Sequence, residues 1–180
     1  MNTLYIVIEF IVSLAALLFV LRFLLQACGA DFYNPISQAV VKATDPLCKP
    51  LRIVIPSFRN LDFAALIAAW LIWSLAVVLI SLLISGTMPA AAIPSAMWMG
   101  FIRTLLVLTQ FYFWAILIIV VASFVAQGAY HPALILLHQL VEPIMAPVRR
   151  ILPSLGPLDL SPMVVMLVIF IVEDILRRSI

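Results

Sequence analysis

Two arginine–aspartate pairs carry most of the chemistry available to this chain. Arg52 precedes Asp62, and Arg149 precedes Asp159, by the same ten positions. A guanidinium and a carboxylate at fixed spacing suit a few tasks. The arginines can bracket a path or hold an anionic headgroup, and Arg150 adds a second cation beside Arg149. The aspartates can face a central cation site. The structural alternatives are equally concrete: arginines snorkelling to lipid phosphate, aspartates capping the helices that follow, or each aspartate paired with its own arginine. Glu9 is a further candidate. It is an acid inside an otherwise apolar stretch, and intramembrane carboxylates are functional candidates or members of ion pairs. It falls near one end of that stretch, as do Arg103, Glu173 and Asp174 near the ends of theirs, so an ion pair at that level is one reading.

Other chemistries are poorly supplied. There is no glycine-rich phosphate loop and no nucleophile elbow, and the chain has only five glycines. His131 and His138 have no acid or cysteine close by in sequence, which makes a poor metal site. Cys28 and Cys48 are too few for a disulfide framework. No catalytic residue, metal or cofactor is expected, and the chain reads as non-enzymatic. A formal net charge of +2 without a basic cluster argues against nucleic acid as a partner.

The elements that must position these residues follow from composition. Of 180 residues, 66% are hydrophobic and only 10% charged, and mean hydropathy is +1.26. A soluble domain is roughly a quarter charged, so this is an all-α membrane protein. A helix needs about 20 apolar residues to cross a bilayer. Leu4–Leu25, Phe63–Ser85 and Thr104–Ala126 meet that length. Leu160–Val172 reaches it only if Ile175 and Leu176 are included and Arg177 and Arg178 snorkel at the interface. Leu25-Gln-Ala-Cys28 loosely resembles a lipoprotein cleavage site. No basic residue precedes the first segment and Arg22 interrupts it, so it reads as a retained helix. Four spans put 26–61 and 127–159 on one side, with Lys42, Lys49, Arg52, Arg59, Arg149 and Arg150. Arg103, Arg177 and Arg178 lie on the other. The positive-inside bias makes the long loops cytoplasmic and both termini periplasmic.

The chain also repeats itself. Shifted by 97, Pro35, Pro46, Pro50, Arg52, Pro56, Ser57, Leu61 and Asp62 fall on Pro132, Pro143, Pro147, Arg149, Pro153, Ser154, Leu158 and Asp159, and Asp45 falls on Glu142. Residues 1–85 and 101–180 then form two helix–loop–helix units joined by 86–100. Two spans per unit make the repeats parallel.

The second unit reads Pro143-Ile-Met-Ala-Pro147-Val-Arg149-Arg150-Ile-Leu-Pro153-Ser-Leu-Gly156-Pro-Leu-Asp159-Leu-Ser161-Pro162. The first keeps Asn34-Pro35, Asp45-Pro46, Pro50, Arg52, Ile55-Pro56 and Leu61-Asp62. Over essentially its whole length the chain resembles the two-copy YggT/YlmG family of small bacterial inner-membrane proteins, which has relatives in plastids. The first unit departs from that pattern: Ile53 replaces the second arginine, Arg59 the glycine, and Ala64-Ala65 the Ser-Pro. The resemblance implies an inner-membrane location and an association with osmotic and potassium tolerance, or with cell division and nucleoid organisation.

Between the spans, Asn34 is placed to cap a helix with Pro35 at its first position. Ile36, Ala39, Val40 and Ala43 recur at helical spacing, which predicts a short amphipathic helix at the membrane interface, with a more apolar counterpart over Ala133–Val141. Prolines at 46, 50 and 56, and at 143, 147 and 153, argue against one regular helix continuing through either loop. Ala64, Ala65, Ala68 and Ala69 form a small-residue face for close helix packing.

Two functional classes are therefore expected. One is a structural or interaction protein whose cytoplasmic loops meet anionic headgroups and membrane-protein partners, oligomerisation being compatible but not required. The other is a pathway for a potassium-like cation or a small solute near the repeat axis, using Asp62, Asp159, Arg52 and Arg149.

Overall fold

A computed structural model describes residues 3–55, 61–87, 89–125, 131–151 and 159–180. The expected positions Pro56, Ser57, Arg59, Pro153, Ser154, Gly156 and Leu158 lie outside them.

Among the described residues six α-helices follow in order: α1 Thr3–Ala27, α2 Pro35–Val54, α3 Phe63–Ser85, α4 Ile93–Val125, α5 Pro132–Ile151 and α6 Ser161–Arg177. A 3-10 turn, Ala90–Ala92, leads into α4. The stretch 86–100, expected to link two units, is thus partly helical, and α4 begins well before Thr104. Pro94 permits this, because proline in the first helical turn removes a donor that has no intrahelical acceptor. Among the described residues three segments are long and apolar enough to cross a membrane: Thr3–Ala27, Phe63–Ile84 and Ala90–Phe124. With 17 residues, α6 spans only about 25 Å, short of the roughly 30 Å hydrocarbon core.

The core is built where α3 packs against both α1 and α4, with α6 against α4. Ala64, Ala65, Ala68 and Ala69 are all buried, as their spacing predicts, and Trp73 and Ala76 extend the same face. Small side chains let backbones approach closely, which is where helices without a hydrophobic driving force gain packing energy. Gly100 on α4 sits at a close crossing: a Cβ there would lie 2.2 Å from Ser74 Oγ on α3.

The prolines do not stop α2 or α5. Both helices continue, through Pro46 and Pro50 and through Pro143 and Pro147, ending before Pro56 and Pro153. Each internal proline leaves one carbonyl of the preceding turn without its bond. All four are exposed, so those carbonyls lie on the outer face of the helix. Asn34 caps α2 as expected, its Oδ1 accepting from Ile36 N at 2.9 Å. The buried stripe differs from the expected one: Ser37, Val40, Thr44 and Cys48 turn inward, while Ile36, Ala39 and Ala43 face out. The bundle takes the small and polar side of α2, leaving its more apolar side uncovered.

Candidate functional site

The folded chain gathers five charges at the loop end of α1. Arg22, in the last turns of α1, is only 4% exposed, and Asp62, just before α3, has no exposure at all. Arg22 Nε donates to Asp62 Oδ2 at 3.2 Å, and its Nη2 pairs with Asp45 Oδ1 at 2.7 Å. Its Nη1 donates to Thr44 Oγ1 at 2.8 Å and to the Val41 carbonyl at 2.9 Å. Every nitrogen of the guanidinium is therefore engaged. Arg52, near the end of α2, closes over the same carboxylate, with Nη2 2.5 Å from Asp62 Oδ2 and Nε 3.4 Å from Oδ1. Lys49 Nζ completes the group, 3.0 Å from Asp45 Oδ2.

Electrostatics follow from this enclosure. Burial raises the Asp62 pKa, but the hydrogen bonds and charges of Arg52 and Arg22 outweigh it and hold the carboxyl below its usual range. Asp45 is lowered by its hydrogen bonds to Arg22 and Lys49. Arg52 is raised chiefly by its hydrogen bond to Asp62. Burial pushes the nearby Cys48 thiol up. The carboxyls of Asp45 and Asp62 are thereby held ionised. Asp62 occupies the cap position of α3 but makes no side-chain cap bond, because both its oxygens accept from arginine.

The second arginine–aspartate pair is arranged differently. Arg149 Nε donates to Asp159 Oδ2 at 3.0 Å, and Nη1 lies 2.9 Å from Glu142 Oε2. These side chains are roughly half exposed. Leu160 is the cap residue of α6, and Asp159 just before it accepts from the first N–H of the helix, Ser161 N, through Oδ1 at 2.9 Å. Ser161 is the buried first residue of the helix. Hydrogen bonds from Ser161 and Arg149 hold the Asp159 pKa below its usual range against a modest effect of burial. Positions matching Arg22 and Thr44 in the 97-residue register are Ile119 and Val141, so the second triad has no buried cation. Arg150 lies exposed on the last turn of α5.

Glu9 sits apart from both groups, toward the other end of α1. It accepts from Arg103 of α4, whose guanidinium carbon lies 5.3 Å from the Trp73 ring centroid. Glu173 and Asp174 pair with Arg177 and Arg178 on their own helix. The two halves of the chain also meet at the loop end, where Asn34 Nδ2 donates to the Pro132 carbonyl at 2.8 Å and Asp31 N to Gln139 Oε1 at 3.0 Å.

Of the expected site residues, Arg52 joins Asp62, Arg149 joins Asp159, and Glu9 pairs with Arg103 away from both. Arg22 and Asp45 were missed. The signal for Arg22 was a charge within an apolar span, which demands a buried acid, and Asp45 and Asp62 are acids at that level.

The CCB3/YggT family profile matches residues 1–83 and again 98–180. The chain belongs to the CCB3/YggT family. It is 40% identical over 161 residues to an uncharacterized protein of Pseudomonas aeruginosa, covering 89% of this chain and 81% of that one. A Vibrio alginolyticus protein is 40% identical over 165 residues, covering 91% and 88%. The uncharacterized protein YggT of Escherichia coli K12 is 33% identical over 173 residues, covering 96% and 88%. No solved structure matches this CCB3/YggT chain.

Proposed function

We propose that this CCB3/YggT protein is a non-enzymatic membrane scaffold: an inner-membrane protein of four spans in two parallel repeats that presents α2 and α5 on the cytoplasmic side to anionic lipid and to membrane-protein partners, in the service of division or osmotic-stress organisation. The observation that carries it is the state of the two aspartates. Asp62 is enclosed by Arg22 and Arg52, whereas Asp159 accepts from the first N–H of α6 beside Arg149 in an exposed triad. They share no partner, and a common cation site would need both to turn toward one wet cavity. A carboxylate already holding two guanidiniums has little left to offer a passing cation.

The outer face of the loop helices supports the interaction role. Ile53, Val54 and Ile151 are 86%, 79% and 82% exposed, at the ends of helices that also carry Lys49, Arg149 and Arg150. Exposed apolar residues beside cations suit the boundary between headgroups and acyl chains, or a partner lying there. The fourth span is favoured by the long exposed apolar face of α6, which includes Met163, Leu167, Phe170 and Ile171, and by Arg177 and Arg178 at its end. The repeat is favoured by the two stretches that the family profile matches.

A photo-crosslinking residue at Ile53 or Ile151, in cells, tests the role. Discrete protein adducts from these positions, and none from lipid-facing Leu75, are expected. Adducts to lipid alone at both positions would leave no partner for the scaffold and overturn it.

A further inference from the structure

A third polar site lies in the half of the bundle away from the loops. Glu9 and Arg103 are joined there, and with Tyr5, Trp73, Ser81 and Met99 they line a cavity of about 110 Å³ between α1, α3 and α4. Trp73 is only 3% exposed, yet its Nε1 hydrogen has no acceptor among the described residues. Arg103 Nε is likewise buried without one. Two unpartnered donors on one small cavity are unusual, since buried polar groups nearly always find partners. Both can only donate, so what satisfies them must accept. Glu9 and Arg103 cancel each other's charge, which removes the attraction for an anion. The Tyr5 and Ser81 hydroxyls add groups that both donate and accept.

We infer that this cavity is a binding site for a neutral oxygen acceptor, held by the Trp73 and Arg103 N–H groups within the membrane-spanning part of the protein. Its volume of about 110 Å³ suits three to four water molecules at roughly 30 Å³ each. The same chemistry is offered by the ester carbonyl of a lipid reaching in from the leaflet on the side away from the loops. The inference is independent of the scaffold reading, because it concerns neither the loops nor the two arginine–aspartate pairs.

Hydroxyl-radical footprinting of the intact protein in nanodiscs separates the sources. Exposed Trp114, on the apolar surface of α4, reports the labelling rate of a site facing acyl chains. Water in the cavity makes Trp73 and Met99 label severalfold faster than Trp114 in ester and ether lipids alike. A lipid carbonyl protects them in ester lipid and exposes them in ether lipid. Trp73→Phe, which deletes one donor, then slows Met99 labelling and does not raise the melting temperature. Arg103→Lys, which keeps the pairing charge but removes Nε, gives the same Met99 result should Trp73→Phe fold poorly. Labelling of Trp73 and Met99 at the Trp114 rate in both lipids, with a higher melting temperature for Trp73→Phe, would overturn the site.

Discussion

Arg22 and Asp62, forty residues apart in sequence, meet as a buried ion pair in which Arg22 Nε lies 3.2 Å from Asp62 Oδ2. The contact ties the end of α1 to the entry of α3, and the other nitrogens of Arg22 tie both to α2. Taking these charges from water is costly, and the arrangement holds only because each has several partners.

Removing one partner should therefore be severe. Asp62→Leu leaves Arg22 and Arg52 facing an apolar side chain and is expected to cost about 3–5 kcal/mol. Arg22→Leu with Asp62→Leu should recover much of that loss. Asp159→Asn, in the exposed triad, should cost less than about 1 kcal/mol. Reversible unfolding in mixed micelles measures all three.

Acid should loosen the loop end first. Asp45, Asp62 and Asp159 all sit below the ordinary carboxylate value near 3.8. The unfolded chain takes up protons before the folded one does, so the stability they contribute is present above that value and is lost as pH falls below it. Melting temperature should decline steeply below about pH 4, and Asp62→Asn should flatten the decline while lowering the plateau.

Gly100→Ala should force α3 and α4 apart. Its Cβ would meet Ser74 Oγ at 2.2 Å and the Ser74 backbone nitrogen and Cα at 2.7 and 2.8 Å. A loss of about 1–3 kcal/mol is expected from such overpacking. Adding Ser74→Ala should restore little, since two of the three close atoms are backbone. Thermal melts followed by circular dichroism decide this.

Topology is open to direct labelling. In a cysteine-free background, Ile151→Cys should react with an impermeant maleimide only from the cytoplasmic side. Ser179→Cys should react only from the periplasmic side if α6 spans. Reaction of both from one side would make α6 an interfacial helix.

Much of this was legible from local spacing. The alanine face of α3, the Asn34 cap and both arginine–aspartate pairs follow from residues within a few turns of one another. The missed features depend on distant partners. The role of Arg22 required knowing that Asp45 and Asp62 come back to it across an intervening helix. The continuity of α2 and α5 required knowing that their prolines all fall on the outer face. The polar inward stripe of Ser37 and Thr44 ran against the rule that the most apolar side of a helix faces the core, which fails where lipid is an alternative cover.

The most direct test of the scaffold reading is potassium and proton flux in proteoliposomes holding the intact protein, beside an Asp62→Asn/Asp159→Asn double variant. The account predicts that neither exceeds protein-free vesicles, because Asp62 is occupied by Arg22 and Arg52. Flux through the parent protein that the double variant abolishes, with reconstitution and helix content unchanged, would contradict it and make this a conducting protein.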